Sequence, residues 1–179
     1  EKIPALNQTT EKEKKLAYLL GGILTDGSIY RTRTHGEVQF IQKKIPEKEE
    51  FINHMGKCME DVYNKSFTPY QKKVSSGIIR GKPAIGQAMA YRLYSKQIAY
   101  EIHEESQKLT TTLINSDIDL AYNFLAGVID GDGSFHNNRL QLYISKEGLL
   151  QSVVVACLRI GTFPQITRNR HIANVQIVE

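Results

Sequence analysis

Two aspartates occur in the same local sequence in distant parts of the chain, and they are the residues best suited to chemistry. Asp26 and Asp132 each follow an apolar stretch and each precede Gly-Ser. Neighbouring carboxylates repel one another, so one of them takes up a proton unless a metal ion binds. Carboxylates and main-chain carbonyls are hard oxygen ligands suited to Mg²⁺. The repeat therefore predicts a divalent-metal site, if the fold brings the two acids together.

The residues around each aspartate predict a helix that ends at the acid. Gly27 and Gly133 follow the acids, and we expect them to adopt the left-handed conformation that is common just after a helix. A carboxylate at the negative end of the helix macrodipole is unfavourable unless a cation compensates it. This placement again favours a bound cation.

Small residues four apart mark one face of each predicted helix. They are Gly21 and Thr25 in the first helix and Gly127 and Gly131 in the second, and residues at this spacing share a helix face. Helices packed through these faces would approach closely and bring the two acids together. The carbonyls of Thr25 and Gly131 lie in the last turns, where carbonyls lack helical partners. Both are therefore candidate metal ligands beside the acids.

The two stretches resemble the motif of the LAGLIDADG homing endonucleases. Residues 125–133 are close to the family consensus, whereas residues 19–27 are degenerate: Leu24 replaces the earlier acid, and Gly22 and Thr25 also depart. Both copies keep the later acid, which is the metal-binding one in the family. Two motifs in one chain resemble the monomeric, pseudo-symmetric branch.

The resemblance implies an α+β fold built as a pseudo-two-fold pair of αββαββα-like halves. Two central motif helices pack together, and antiparallel sheets form a DNA-binding saddle. We expect the first half at residues 1–107, a linker at 108–116, and a second half at 117–179 that lacks its closing helix.

The hydrophobic pattern agrees with this order of elements. Alternation predicts a strand over 37–42 with Val38 and Phe40 on one face. Pro46 favours the start of a helix. Residues 75–86 are rich in Gly, Ser and basic residues and are expected to form a long exposed loop. Ser95 is expected to cap a helix that runs to about Gln107.

The composition is that of a soluble globular protein. Of the 179 residues 41% are hydrophobic and 23% charged, which is ordinary for a globular domain. The chain contains no apolar run of the length that crosses a membrane, and its polar start is unlike a signal peptide. The formal charge of +4 agrees with nucleic-acid binding but is too mild to establish it.

Cys58 and Cys157 are expected to be buried free thiols in a reducing compartment, and no Cys/His cluster has zinc spacing. We expect an intracellular protein, in the cytoplasm or nucleoid of a prokaryote or in an organelle.

The family also places a polar residue, often Gln, after the second strand of each half, where it orders the water around the metals. Gln42 fits this place in the first half and Ser145 in the second, and Lys43 and Lys146 follow them. The lysines could contact phosphate, although a solvated strand end would explain all four residues equally well. Asp130 has no partner acid in the first motif and is expected to be structural.

DNA reading is expected from the exposed strand faces, because a major groove admits a two-stranded ribbon. Basic residues beside those faces suit phosphate contacts, which position a protein without specifying sequence. The candidate DNA-binding residues are Tyr30, Arg31, Thr32, Arg33, His35, Gln39, Lys72, Arg80, Lys82, His136, Asn138, Arg139, Gln141, Tyr143, Arg168 and Arg170.

The first strand presents a conflict. Alternation puts Arg31 and Arg33 on the face of Ile29, which is expected in the core, and opposite Tyr30. A bulge would be needed to turn the arginines toward DNA.

The expected function is a site-specific homing endonuclease that makes a metal-dependent double-strand break in a long asymmetric DNA site. Its cofactor would be Mg²⁺, or Mn²⁺ or Ca²⁺ in its place, and it would act as a monomer away from membranes. The chain lacks the terminal residues of a self-splicing intein, so we expect a free-standing or intron-encoded enzyme. The alternatives are an RNA maturase or a DNA-binding protein of the same fold without cleavage, or a small domain of unrelated function.

Overall fold

The protein is described from a computed structural model that covers residues 8–72, 75–79, 82–86, 88–136 and 139–178. The first part of the chain forms α1 (Glu11–Asp26), β1 (Gly27–Arg31), β2 (Gly36–Gln42), α2 (Pro46–Tyr63), β3 (Thr68–Gln71), β4 (Ser75–Ile79), β5 (Lys82–Gly86), β6 (Met89–Tyr94) and α3 (Lys96–Asn115). The second part forms α4 (Ile118–Asp132), β7 (Ser134–His136), β8 (Arg139–Ile144), α5 (Glu147–Arg159), β9 (Gln165–Asn169) and β10 (Ile172–Val178).

Two antiparallel sheets of four strands share one topology. Their strand orders are β1-β2-β6-β3 and β7-β8-β10-β9, which match once the separate β4–β5 hairpin is treated as an insertion. Each half therefore repeats one plan of helix, hairpin, helix and two further strands, as predicted. Helix α3 closes the first half, and the described part of the second half has no counterpart to it.

The motif helices α1 and α4 pack against each other along their length. A Cβ on Gly21 would lie 2.5 Å from the carbonyl oxygen of Phe124, and one on Gly127 would collide with the carbonyl of Tyr18. Only glycine lets the two backbones come this close, so the predicted small-residue contact is present. The apolar side chains beside it, such as Leu19 and Val128, are fully buried.

Both motif helices end at their aspartates, but the glycines after them differ from expectation. Gly27 has φ −123° and Gly133 has φ −73°, both extended rather than left-handed. A Cβ on Gly27 would meet the carbonyl of Gln39, and one on Gly133 that of Ile129. The predicted left-handed turn is wrong: each glycine allows the chain to pass directly from helix to strand at close quarters.

Burial in the first sheet follows the predicted alternation. Val38 and Phe40 are fully buried beneath the helices, and the ring of Phe40 stacks on Tyr91 with centroids 4.8 Å apart. Helix α2 starts at Pro46 as expected, and the Ser95 side chain caps α3 by accepting from the backbone N–H of Ile98.

The described residues of the segment 75–86, which are 75–79 and 82–86, pair as the antiparallel strands β4 and β5, so the prediction of a loop is wrong for them. The Gly, Ser and Lys content suggested a loop, whereas cross-strand pairing stabilises a hairpin despite it.

Helix α3 continues to Asn115 instead of ending near Gln107. The extension buries Leu109 and Leu113, and Thr110 is hydrogen-bonded to Ser152 of α5 at 2.9 Å. The segment predicted as a linker is therefore mostly helical, because its apolar residues pack against the second half.

Cys58 and Cys157 are buried and unbonded to each other, as predicted. Burial raises the pKa of each thiol to about 11. Within the described residues, no helix combines the length and apolar character needed to cross a membrane.

Candidate functional site

The two motif aspartates interact electrostatically at the adjoining ends of α1 and α4. Asp26 is partly buried and Asp132 is exposed. Desolvation raises the pKa of Asp26 to about 6, and repulsion from the charge of Asp132 contributes to the rise. Desolvation also raises the pKa of Asp132. The structure therefore brings together the two acids that the repeat singled out.

Gln42 links the acid of one motif to the backbone of the other. It is buried at the end of β2, where its Nε2 donates to the carboxylate of Asp26 and, at 3.3 Å, to the carbonyl of Gly131. The contact of one amide with both oxygens shows that the Asp26 carboxylate and the Gly131 carbonyl converge on one point. Gln42 is thus in the place that the resemblance implied.

Two lysines cap the motif helices from opposite halves. Lys48, in the first turn of α2, donates from Nζ to the carbonyls of Asp130 and Gly131 at 2.6 and 2.8 Å. Lys146 donates to the carbonyl of Leu24 at the end of α1, at 2.9 Å. Cations at helix C-termini are favourable. Lys48 was not predicted from the sequence, because its contact crosses between the halves and leaves no local signal.

The second half carries no amide where the first has Gln42. The two hairpins can be aligned on Gly27 and Gly133, the residues that follow the motif helices. In this alignment the strand registers place Ile144 at the position equivalent to Gln42. Ile144 is buried, and Ser145 corresponds to Lys43. The expected equivalence of Gln42 and Ser145 is therefore wrong by one residue, since the β7–β8 hairpin has its own register.

A narrow cleft of about 70 Å³ opens beside Asp132, and Thr25, Ser145 and Lys146 are among the residues lining it. Ser145 and Lys146 therefore remain next to the second acid. Lys43 is exposed at the end of β2, and its backbone N–H contacts the Gln42 side chain.

The oxygen donors at this point fit a hard divalent cation. Two carboxylates from different helices interact electrostatically, and the Gly131 carbonyl and the Asp26 carboxylate both accept from the Gln42 amide. Thr25 holds the corresponding position at the end of α1, where its side chain donates back to the carbonyls of Gly21 and Gly22. Carboxylate and carbonyl oxygens are the ligands that Mg²⁺, Mn²⁺ and Ca²⁺ accept.

Asp130 is used differently from the two motif acids. Its carboxylate accepts a hydrogen bond of 2.7 Å from the Tyr18 hydroxyl of α1, and the Tyr18 ring packs edge-on against His54. This contact ties α4 to α1 and accords with the structural role expected of Asp130.

Arg92 was not predicted as a site residue. It lies on the outer face of the first sheet, which is turned away from the helices. Arg92 of β6 donates to Gln39 at 3.2 Å, lies 3.4 Å from the Glu37 carboxylate and sits over the Tyr70 ring at 5.3 Å. Its position was predictable, because Ala90, Arg92 and Tyr94 occupy every second position of β6 and therefore share one face of the sheet. Tyr30 is also exposed on this face.

Arg31 lies on the opposite face of the same sheet. Its guanidinium sits over the ring of Tyr100 in α3 at 5.2 Å. The β1–β2 register runs without interruption from Gly27 to Arg31, so the bulge that would have turned Arg31 outward is absent from this pair. Arg31 therefore lies on the helix side of the sheet, where its guanidinium contacts Tyr100, and its DNA contact stays a prediction.

The turn after β1 exposes Arg33 and His35. Thr32 closes this turn by donating from its backbone N–H to the carbonyl of His35 at 2.8 Å.

The outer face of the second sheet presents a row of polar side chains. Arg139 donates to Gln176 at 3.2 Å, and the Tyr143 hydroxyl donates to Gln141 at 3.2 Å. Arg168 lies on the helix side, where it pairs with Glu147 of α5 at 3.0 Å, and its phosphate contact stays a prediction.

Comparisons with known proteins agree with this architecture. Residues 119–178 match the family model of a LAGLIDADG-like domain. The homing endonuclease I-DmoI superposes with a TM-score of 0.70 and 18% sequence identity over 94% of this chain and 90% of that one. The chain has the two-motif LAGLIDADG fold.

Two further proteins are similar to this chain. Full-length DUF199/WhiA from Thermatoga maritima matches with a TM-score of 0.58 and 14% identity, over 99% of this chain and 54% of that chain. A "Probable phosphoenolpyruvate synthase" of Methanocaldococcus jannaschii is 25% identical over 173 residues, which are 94% of this chain. The chain spans only 13% of the length of that relative.

The remaining sequence candidates are distributed around this LAGLIDADG scaffold. Lys72 is exposed just after β3, and Arg170 is exposed in the β9–β10 turn with φ 55°. Arg80 and Asn138 lie outside the described residues. Lys82 belongs to β5 and His136 to β7, and only the backbone of these two residues is described.

Proposed function

We propose that the protein is a site-specific homing endonuclease that cuts both strands of double-stranded DNA with the aid of a divalent cation. The observation that carries the proposal is the meeting of Asp26 and Asp132 at the ends of the packed motif helices. The Gly131 carbonyl and the Gln42 amide lie at the same point.

The structural relatives support both the partner and the cofactor. I-DmoI has been solved in complex with DNA and Mn, and in complex with DNA and Ca. Carbonyl and carboxylate donors in this chain suit the same class of cation. Mg²⁺ is the cation we propose for cleavage.

The chain's own residues prepare the site for a phosphodiester. A bound divalent cation would supply Lewis-acid polarisation of the scissile phosphate and favour attack by water. Gln42 fixes the orientation of the Asp26 carboxylate by donating to it. Lys48 and Lys146 bring positive charge to the two acids and to the region that the phosphate must enter.

DNA would lie across the outer faces of both sheets. On the first sheet Arg92, Gln39 and Tyr30 are available for base edges, and on the second Arg139 and Gln141. Exposed basic residues such as Lys72 and Arg170 would contact phosphates. We further propose that the protein acts as a monomer, since one chain supplies both halves of the site, and inside the cell, where Cys58 and Cys157 stay reduced.

A DNA-binding protein without cleavage is the second candidate. The first motif is degenerate at Leu24, and Ile144 replaces an amide in the second half. The likeness to DUF199/WhiA, which has an N-terminal LAGLIDADG domain, supports this candidate. Retention of both motif acids favours the endonuclease.

The test is cleavage of plasmids that carry the uninterrupted form of the locus in which the gene resides, with Mg²⁺ and with EDTA. Asp26→Asn and Asp132→Asn should abolish double-strand cleavage while retaining DNA binding. Glu104→Gln, on the exposed face of α3, is the matched control and should cut like the parent. Full cleavage by either motif variant would remove that acid from the mechanism, and binding without any cleavage by the parent would favour the second candidate.

A further inference from the structure

Lys48 and Lys146 make the same kind of contact but do not occupy equivalent places. Each reaches from one half to the C-terminal carbonyls of the other half's motif helix. Lys48 holds the carbonyl of Gly131, the residue directly before Asp132. Lys146 holds the carbonyl of Leu24, one residue earlier than the corresponding Thr25.

The difference matters because of what surrounds the Gly131 carbonyl. The Gln42 amide touches this oxygen and the Asp26 carboxylate together, so the ammonium of Lys48 binds at the point where both halves contribute oxygen ligands. An ammonium group is a compact point charge with three donors on a flexible stem. It can therefore satisfy the same oxygens that a divalent cation would bind.

The position of Lys48 also sets the electrostatics of both acids. Its charge lowers the pKa of Asp26 and of Asp132, and so offsets part of the rise that desolvation causes in each. The charge of Lys146 also lowers the pKa of Asp26. Lys48 is thus the cation shared by the two carboxylates.

We propose that Lys48 is a placeholder cation, which compensates the paired acids in the metal-free protein and must leave the Gly131 carbonyl before a divalent ion can bind between that carbonyl and Asp26. The inference rests on the proposed use of a divalent cation. It makes Lys48 a positioning residue that holds the motif ends together before loading and competes with the metal during loading.

The test is a titration of the full chain with Mn²⁺ alone, followed by electron paramagnetic resonance, together with thermal melts in EDTA and in Mn²⁺. Lys48→Met should bind Mn²⁺ about tenfold more tightly than the parent, since a hydrogen bond to a charged group no longer competes. It should also melt at a lower temperature in EDTA and gain more from added Mn²⁺. Lys44→Met is the control, because it removes an exposed lysine near the same strand end and should match the parent in both measurements.

A lysine that only capped the α4 helix would lower the melting temperature without changing Mn²⁺ affinity, and that result would overturn the inference. Equal, weaker or undetectable Mn²⁺ binding by Lys48→Met would also overturn it. The readout is independent of DNA cleavage. A chain that binds Mn²⁺ as expected but never cuts DNA would refute the proposed endonuclease and leave the role of Lys48 standing.

Discussion

At the level of single residues, the ionisation of Asp26 is set by opposing contacts. Partial burial and the charge of Asp132 favour the neutral acid, whereas Lys48, the Gln42 amide and Lys146 favour the carboxylate. Burial and the charge of Asp132 have the larger effect, so the pKa of Asp26 lies above its ordinary value. A site that keeps acids close together in this way holds them ready for a cation at some cost in stability.

This balance predicts how stability depends on pH in metal-free buffer. The pKa of Asp26 rises from 3.8 to about 6 on folding, so the folded state binds this proton more tightly. The free energy of unfolding should therefore fall as pH rises through this range. Asp26→Asn removes the ionised group and should be more stable than the parent at pH 7.5, on the order of 1–2 kcal/mol after screening by solvent.

The advantage of Asp26→Asn should disappear near pH 4, and thermal melts in EDTA across pH 4–8 would measure it. Asp61→Asn is the control of opposite sign, because Lys15 and Lys57 hold the pKa of Asp61 below its usual value. That variant should lose stability at neutral pH and approach the parent in acid. A pH-independent effect of Asp26→Asn would show that its carboxyl is not perturbed on folding.

Arg92 and Arg31 form a matched pair on opposite faces of the first sheet. Arg92→Ala should relax base preference at one position of the selected DNA site, at a cost of about 1–3 kcal/mol for the preferred base. Arg31→Ala should keep the base preference and lose about 0.5–1 kcal/mol of stability, because its guanidinium stacks on Tyr100. Selection from a random duplex library followed by sequencing, with parallel melts, measures both. Unchanged preference in Arg92→Ala would place base reading elsewhere.

The sequence identified the residues whose position depends on local pattern. Asp26, Asp132 and Gln42 stand at the ends of a predicted helix or strand, and the geometry brings them together. Arg92 was missed although the alternation of β6 places it on the outer face. Lys48 escaped prediction, since its contacts join elements far apart in the chain. Residue type and spacing cannot show such contacts.

At the level of elements, the contact between α1 and α4 depends on the absence of side chains. Gly21 and Gly127 each face the backbone of the other helix, and a backbone cannot move aside as a side chain can. The helix ends that carry the acids are therefore positioned by the same contact that forms the core.

Gly127→Ala should destabilise the protein by about 1–3 kcal/mol through overpacking, and it should impair cleavage before it prevents folding. A shift of about 1 Å at a reacting site can cost on the order of 10²-fold in rate. Gly22→Ala should be milder, because its Cβ would meet the flexible end of Met55 at 2.6 Å. Gly56→Ala meets nothing within 4 Å and should stabilise α2 by up to about 1 kcal/mol.

Chemical unfolding and a plasmid-cleavage assay, run on all three glycine variants, measure the order of their effects on stability and on activity. If Gly127→Ala were as stable and active as the parent, the close helix contact described above would be incorrect.

Element boundaries were predictable where capping and alternation agree, as at Pro46, Ser95 and the strand containing Val38 and Phe40. The β4–β5 hairpin and the C-terminal part of α3 were not. The Gly, Ser and Lys content of the β4–β5 segment predicted a loop, because the cross-strand pairing that stabilises it is not visible in the sequence. In α3, Leu109 and Leu113 extend the helix because they meet the other half of the molecule.

At the scale of the molecule, polar contacts tie the two halves together in addition to the close packing of the motif helices. The backbone N–H and hydroxyl of Thr9 donate to Asp117, which precedes α4, at 2.7 and 2.5 Å. Lys14 pairs with Asp119 at 2.7 Å, and Arg159 of α5 donates to the carbonyl of Ser116. The two outer sheet faces should therefore engage DNA as parts of one body.

DNA binding over both faces should depend steeply on salt. If the proposed surface neutralises roughly 6–10 phosphates, affinity should fall on the order of 10³–10⁵-fold between 50 and 200 mM salt, because condensed counterions are released. Lys72→Ala should reduce the slope of log affinity against log salt by about one and weaken all sequences alike, whereas Arg92→Ala should weaken the preferred site more than random DNA. Fluorescence anisotropy with both duplexes at several salt concentrations separates the two effects. A flat salt response would restrict the contact to a few phosphates near the acids, and the outer faces could not then be the main binding surface.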